Sequence, residues 1–162
     1  MYDVIIIGSG PAGISAALYT QRGGLKTLII SKGSSSLEKA HKIQNYYGLV
    51  EEISGKELYK KRIAVEIIED EVVQISNEKN FKVTTINAEY DATNVILATG
   101  INRKESTIKG IKEYEGKGIS YCAVCDAFFF RGKDVAVIGD GNYAVHEAEI
   151  LKPIAKSVRI IT

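Results

Sequence analysis

The sequence predicts an α/β fold in which short parallel strands alternate with helices, and the same strand–turn–helix pattern occurs twice. Two observations support this prediction. Apolar runs rich in β-branched residues stop at glycine, and Gly-rich turns open a helix at residues 8–13 and again at residues 139–144. Buried parallel strands have both faces covered, so they read as continuous apolar runs rather than as an alternating pattern. A chain of 162 residues can form one good core or two small domains.

The first 30 residues predict a strand–helix–strand unit. Residues 3–7 form an apolar run that indicates a buried strand. Pro11 suits the first turn of a helix, which residues 14–22 continue until two glycines end it. Residues 27–30 predict the second buried strand. A unit of about 30 residues has the size of a nucleotide-binding half.

A short helix, a small β-meander and another buried strand follow. The predicted elements are a helix at residues 55–62 after Ser54, strands at 65–75 and 81–86 joined by a turn at 77–80, and a strand at 94–98. Together they extend the parallel sheet and add an antiparallel part to it.

The charged, Gly-punctuated stretch after Gly100 predicts a connection between domains. We expect a first domain at residues 1–105, a linker at 106–118 and a second domain at 119–162. The second domain starts another unit, with strands at 135–138 and 157–161 and a helix at 142–152 that Pro153 ends. A parallel sheet needs both of its faces covered, and this unit has too few strands to provide that. We therefore expect a truncated domain, in a chain that is either a fragment or completed by another chain.

The charge balance excludes some classes of partner. The chain has 21 basic and 20 acidic side chains and a net charge of +1, which predicts no binding to nucleic acid or to an anionic membrane. The apolar run at residues 4–7 is too short to span a membrane, and Asp3 lies where a signal peptide is basic. We therefore expect a cytoplasmic protein, where a close cysteine pair favours redox or metal chemistry over a structural disulfide.

The first Gly-rich turn matches the dinucleotide fingerprint, because it follows a strand and opens a helix. Gly8 permits the tight turn, Gly10 lets a pyrophosphate approach the backbone, and Gly13 lets the helix pack against the strand. The helix N-terminus offers N–H donors to the phosphates. A Gly-rich turn without a ligand is the alternative. The acid expected about 20 residues further on, at the ribose, is replaced by Ser31.

The second turn matches the variant of the fingerprint that ends in alanine. Its matching residues are Gly139, Gly141, Asn142 and Ala144. Asp140 places a negative charge beside the expected pyrophosphate, which weakens the prediction of nucleotide binding. The residues that distinguish NADPH from NADH would follow the next strand, beyond Thr162.

The two cysteines of the chain, Cys122 and Cys125, allow three interpretations. Half of a zinc site would need two further ligands, and His41 and His146 are the histidines available. Inert core cysteines are the second interpretation. The third is a redox dithiol, in which the neighbouring Asp126 handles the proton released by thiol exchange.

These motifs resemble the N-terminal half of the bacterial low-molecular-weight thioredoxin reductases, which are FAD- and NAD(P)-dependent pyridine nucleotide-disulfide oxidoreductases. The resemblance covers nearly the whole chain and rests on MYDVIIIGSGPAGISAALY at its start, IQNYYG at residues 43–48, NVILATG at 94–100 and GKGISYCAVCDAFFFRGKDVAVIGDGNYAVHEA at 116–148. It implies a Rossmann-like FAD-binding domain followed by the start of a second Rossmann-like domain, which carries the cysteines and binds NADPH or NADH.

The resemblance also implies roles for single residues. The residues implied at the FAD are Ser9, Gly10, Pro11, Ala12 and Gly13 at the pyrophosphate, Ser31 at the ribose, Asn45 on the flavin side, Val72 near the adenine, and Thr99 and Gly100 beside the cofactor. Cys125 is implied as the thiol next to the flavin, Cys122 as the thiol that attacks a partner disulfide, and Asp126 as the acid. Electrons would pass from the nucleotide through FAD to the cysteines, and after a domain rotation to a thioredoxin-like protein.

The resemblance further implies a homodimer for the complete protein. Two alternatives of function stay open. One is a non-catalytic FAD-binding module or inactive fragment, and the other is a flavin disulfide reductase supplied with electrons by ferredoxin, because Asp140 disfavours a phosphate.

Overall fold

The computed structural model describes residues 1–61, 64–101 and 106–162. The chain divides into two compact units, Met1–Lys104 and Glu105–Thr162. The predicted end of the first domain, residue 105, lies outside the described ranges. The division into residues 1–105, 106–118 and 119–162 stays a prediction.

The first unit is a six-stranded sheet with helices. Its elements are β1 (Tyr2–Ile7), α1 (Pro11–Arg22), β2 (Thr27–Ser31), a 3-10 turn (Ser36–Lys39), α2 (Gly55–Lys60), β3 (Glu66–Glu69), β4 (Val72–Asn77), β5 (Phe81–Thr85) and β6 (Glu89–Leu97). The strand order is β3-β2-β1-β6-β5-β4. The four strands β3, β2, β1 and β6 are parallel, and β4, β5 and β6 form an antiparallel meander. The predicted parallel sheet with a small meander is therefore confirmed.

Both faces of the parallel strands are covered, which explains their continuous apolar sequences. Neighbouring residues of a strand point to opposite faces. Ile5 and Leu28 belong to the core cluster that also contains Val83 of the meander. Ile6 belongs to the cluster on the other side, with Ala17 of α1. The parallel strands β1 and β2 thus pack against α1 on one face and against residues of the meander on the other, so apolar side chains are needed on both faces.

The single strand predicted at residues 65–75 is wrong, because this segment forms the two strands β3 and β4. β3 is parallel to β2, whereas β4 is antiparallel to β5. The chain turns at Asp70, whose carboxylate accepts the backbone N–H groups of Glu71 at 2.7 Å and Asn87 at 3.3 Å. A hydrogen bond from the Thr85 side chain, together with these N–H groups, lowers the pKa of Asp70. The acidic run at residues 69–71 marks this turn in the sequence, and the prediction of one strand ran through it.

The predicted short helix begins where expected. Ser54 is the N-cap of α2 and forms a capping box with Glu57, whose carboxylate accepts the Ser54 N–H at 2.8 Å. These hydrogen bonds lower the pKa of Glu57. The helix ends at Lys60, and the prediction for Arg62 falls on a residue outside the described ranges.

The second unit is a two-stranded parallel sheet with helices. Its elements are α3 (Ile111–Tyr114), α4 (Ala123–Asp126), a 3-10 turn (Ala127–Phe130), β7 (Asp134–Ile138), α5 (Asn142–Leu151) and β8 (Ser157–Ile161). Ala123, Ala127 and Leu151 form a small buried cluster that joins α4 and the 3-10 turn to α5. The predicted linker at residues 106–118 contains the four-residue helix α3. In the part of the chain that the structure describes, no helix is both long and apolar enough to cross a bilayer.

Replacing Gly13 by alanine should destabilise the first unit by about 3 kcal/mol, because an added Cβ would lie 1.9 Å from the Gly8 carbonyl oxygen. Urea unfolding followed by circular dichroism measures this change. Gly10→Ala is the matched control, since the heavy atom nearest to its Cβ would be Ser35 Cβ at 3.9 Å. Equal unfolding midpoints for the two variants would contradict the proposed packing.

Candidate functional site

The first Gly-rich turn places the start of α1 directly against two strands. Gly8 donates its N–H to the Ile30 carbonyl at 2.8 Å and has a φ of +108°. A Cβ on Gly8 would lie 2.3 Å from the Ala98 carbonyl oxygen, and one on Gly13 would lie 1.9 Å from the Gly8 carbonyl oxygen. Both glycines are therefore required by the packing of the protein itself, whatever binds at the turn.

Gly10 differs from the other two glycines because its surroundings are open. A Cβ there would have Ser35 Cβ, at 3.9 Å, as its nearest neighbour. Gly10 is the N-cap of α1, and Pro11 occupies the first turn. The first N–H groups of a helix have no partner within the helix and carry partial positive charge. An open backbone next to these donors fits a dinucleotide pyrophosphate.

Ser9 and Ser31 form a hydrogen-bonded pair at the end of β2. Ser9 is 3% exposed, and its hydroxyl donates to Ser31 Oγ at 2.8 Å while its N–H approaches the same oxygen at 3.3 Å. A serine hydroxyl has two acceptor sites and one donor. Both acceptor sites of Ser31 Oγ are used by Ser9, so the Ser31 hydroxyl is left with its hydrogen to donate. The acid usual at this position would be an acceptor.

Thr99 and Val72 lie near the same edge of the sheet as the turn. A Cβ on Gly8 would come within 3.3 Å of Thr99 Cα. The chain leading into Val72 is fixed to the end of β2, because Asp70 donates its N–H to the Ser31 carbonyl at 3.2 Å. Lys32 and Glu71 add an ion pair at 2.6 Å between the same two segments.

Two other residues implied at the FAD lie in exposed backbone. Gly100 follows β6 with a φ of +67°. Asn45 is exposed in a loop that the Ile43–Ile53 bridge closes, and it makes no hydrogen bond to the turn among the described residues. The first unit therefore brings the turn, Ser31, Val72 and Thr99 to one edge, and leaves Asn45 outside these contacts.

The cysteine pair of the second unit forms a disulfide at the start of α4. Cys122 and Cys125 are joined, with their Cα atoms 5.3 Å apart. Cys122 is the N-cap of α4, and its sulfur accepts the Cys125 N–H at 3.3 Å. Cys125 is exposed and Cys122 is half-buried. Since the sulfurs are bonded to each other and neither cysteine is buried, the structure contradicts the interpretation as inert core cysteines.

Ser120 connects the disulfide to Asp126. Its hydroxyl accepts the Cys122 N–H at 3.2 Å and donates to Asp126 Oδ2 at 2.5 Å. Ser120 was not predicted as a site residue, although a hydroxyl two residues before a CxxC pair is visible in the sequence. Through Ser120, the acid is held at the end of α4 next to the cysteines.

Two side chains of α5 contact the same segment. The Glu147 carboxylate accepts the Ala123 N–H, and the Tyr143 hydroxyl donates to the Tyr121 carbonyl at 3.4 Å. These backbone groups belong to the residues on either side of Cys122. Nothing in the sequence alone indicates these contacts, because they depend on how α4 packs on α5.

The second Gly-rich turn resembles the first in its packing. Gly139 donates its N–H to the Ile161 carbonyl at 2.9 Å and has a φ of +152°. A Cβ there would lie 3.0 Å from the buried Ala144 Cβ, whereas one on Gly141 would have no neighbour within 4 Å. Gly141 is the N-cap of α5, which Asn142 begins. The open backbone is at the second glycine of the turn, Gly141, as it is at Gly10 in the first turn. The exposed Asp140 lies beside Gly141.

The geometry gives no support to a zinc site. Zinc binds cysteines as thiolates, whereas these two sulfurs are bonded to each other. His41 and His146 are exposed and belong to different units. Within the described ranges, no three or more His, Cys, Asp or Glu side chains are grouped so that they could hold a metal ion.

Comparison with known proteins agrees with the motifs. The family model described as pyridine nucleotide-disulphide oxidoreductase matches residues 2–162. The thioredoxin reductase of Aquifex aeolicus is 42% identical over 98% of this chain and 52% of its own length. That of Bacillus subtilis is 40% identical over 99% of this chain and 54% of its own.

A solved structure shows the same fold. The crystal structure of thioredoxin reductase from Streptococcus pyogenes superposes with a TM-score of 0.92 and 42% identity, over 100% of this chain and 56% of that one. The chain thus spans about half the length of the relatives it matches. The resemblance drawn from the motifs and the Rossmann-like α/β fold are both confirmed, and the chain belongs to the pyridine nucleotide-disulphide oxidoreductase family.

Proposed function

We propose that this chain forms the flavin-binding and dithiol part of a disulfide reductase that transfers electrons from NADPH or NADH through FAD to a thioredoxin-like protein. The observation that carries the proposal is the Cys122–Cys125 disulfide, with Asp126 held beside it by Ser120. The relatives named thioredoxin reductase support the same activity. Localisation in the cytoplasm, a homodimeric complete protein and the absence of nucleic-acid and membrane partners belong to the same proposal.

FAD is the cofactor proposed for the first unit. The open backbone at Gly10 and the first turn of α1, from Pro11 to Gly13, would hold the pyrophosphate. Ser31 would donate a hydrogen bond to the ribose, while its own oxygen accepts the hydrogen bond from the Ser9 hydroxyl. Asn45, Val72, Thr99 and Gly100 are proposed around the remainder of the cofactor. FAD, when bound, would accept a hydride and supply two electrons to the disulfide.

The cysteines would complete the reaction by thiol–disulfide exchange. After reduction, the Cys122 thiolate attacks one sulfur of the partner disulfide and displaces the other as a thiolate, which takes up a proton. The Cys125 thiolate then attacks Cys122 Sγ, which releases the partner as a dithiol and restores the Cys122–Cys125 disulfide. Asp126 accepts the proton that leaves a thiol and returns it to the departing sulfur. The Cys125 N–H bond to Cys122 Sγ favours Cys122 as the attacking thiolate, since a donor stabilises the anion.

The electron donor is proposed at the second turn. Gly141 would offer an open backbone at the N-cap of α5, which Asn142 begins, and the close packing of Gly139 on Ala144 shapes the turn. The exposed Asp140 carboxylate beside this turn opposes a phosphate and favours reduced ferredoxin as the second candidate donor. Loss of flavin absorbance within seconds of adding NADPH alone, without ferredoxin, would exclude the second candidate.

Gly10→Val should weaken FAD binding at least tenfold, because the side chain would fill the space open to the pyrophosphate. Quenching of FAD fluorescence on titration with the purified chain measures the affinity. The matched control is Gly141→Val, which makes the same change in the second unit and should leave FAD affinity within twofold of the unaltered chain. Equal affinities for all three proteins would show that the pyrophosphate binds elsewhere.

Cys125→Ser should abolish reduction of a thioredoxin disulfide by the FAD-loaded chain, because the disulfide that receives the electrons cannot form. The assay supplies NADPH in one set and dithionite in another, and follows thiol release from oxidised thioredoxin. Val124→Ala, between the cysteines, is the control that keeps both thiols. Retained turnover in the serine variant would contradict the proposal. A FAD-loaded chain that is inactive with both reductants would instead be a non-catalytic FAD-binding module.

A further inference from the structure

The contacts between α4 and α5 suggest a role for one residue that the dithiol chemistry does not itself use. We propose that Glu147 is a positioning residue for the redox pair, which fixes the backbone at Cys122 and sets the disulfide–dithiol equilibrium through its charge. Tyr143 assists it. This inference rests on the proposed redox role of Cys122 and Cys125, and it concerns the second unit alone.

The geometry of α5 supports the positioning role. Tyr143 and Glu147 are four residues apart, which places them one turn apart on the same face of the helix. Tyr143 donates to the Tyr121 carbonyl, and Glu147 accepts the Ala123 N–H. Tyr121 and Ala123, whose backbone groups make these hydrogen bonds, are the immediate neighbours of Cys122 in the chain. The segment that carries this cysteine is thus attached to α5 on both sides.

The packing beneath these contacts makes the attachment firm. Ala123 is 7% exposed, and it shares a buried cluster with Ala127 and with Leu151 of α5. The Ala123 N–H lies at the first position of α4, where the helix itself provides no acceptor. Glu147 supplies that acceptor, and it is half-buried rather than fully exposed to water.

The charge of Glu147 should influence the redox equilibrium. Reduction by dithiothreitol breaks the Cys122–Cys125 bond, transfers two electrons and two protons to the cysteines, and converts dithiothreitol to its cyclic disulfide. A cysteine thiol has an ordinary pKa of about 8.5, so thiols of this class are partly thiolate at pH 8. A carboxylate fixed at the adjacent N–H repels a thiolate at Cys122 and favours the disulfide. Asp126, held by Ser120, adds a second carboxylate to the same segment.

Glu147→Gln should shift this equilibrium about fivefold towards the dithiol at pH 8, because it removes the charge and keeps an acceptor for the Ala123 N–H. Incubation of the 162-residue chain in dithiothreitol redox buffers, followed by alkylation of thiols and mass analysis, measures the equilibrium. Glu149→Gln is the matched control, since it removes the same charge from an exposed position of α5. The control should stay within twofold of the unaltered chain.

Hydrogen exchange separates the positioning role from the charge. Glu147→Ala should accelerate exchange of the Ala123 N–H at least tenfold, whereas Glu147→Gln should retain most of the protection. Tyr143→Phe, which leaves the charge unchanged, should shift the redox equilibrium by less than about twofold.

A redox equilibrium of Glu147→Gln equal to that of Glu149→Gln would overturn the inference. If Glu147→Ala fails to fold, the glutamine variant still decides the question. The measurements use no flavin, nucleotide or thioredoxin. The inference about Glu147 can therefore be overturned while the proposed function holds, and the proposed function can be overturned while the inference holds.

Discussion

The close contact of three backbone segments at Gly8 and Gly13 is the constraint on which the first unit depends. Neither position has room for a Cβ, because the Gly8 carbonyl and the Ala98 carbonyl already occupy that space. This contact brings the start of α1 to the carboxyl ends of β1 and β6, beside the end of β2. The open backbone at Gly10, the Ser9–Ser31 pair and Thr99 all lie at this edge as a consequence. Ligands of open α/β sheets bind at this edge.

The second unit uses the same strand–turn–helix arrangement and adds a second task for its helix. α5 begins after its open N-cap Gly141, and Tyr143 and Glu147 in its first two turns contact the segment around Cys122. One rigid helix therefore connects a candidate nucleotide site to the dithiol. Side chains placed on regular elements are held more precisely than side chains on loops, and redox chemistry between two sulfurs requires such precision.

Much of the fold could be predicted because local patterns agree with the tertiary structure. Continuous apolar runs predicted β1 and β2, and the glycines with Pro11 predicted the turn before α1. The break at Asp70 was missed because the apolar pairs before and after the acidic run at residues 69–71 were joined into one strand. The pairing of β3 with β2 and of β4 with β5 shows that this acidic run is the turn between two strands. The cysteine pair was visible from spacing alone. The hydrogen bonds of Ser9 to Ser31, of Ser120 to Asp126 and of Ala123 to Glu147 were not, since they join residues that only folding brings together.

We propose that one chain holds both a flavin and a dithiol that the flavin reduces. Anaerobic titration of the FAD-loaded chain with dithionite tests it most directly, since it counts the electrons taken up and does not depend on the natural donor. We expect uptake of about four electrons for each bound FAD, two for the flavin and two for the Cys122–Cys125 disulfide, with both thiols then open to alkylation. Uptake of about two electrons, with the disulfide intact after the flavin is fully reduced, would contradict it.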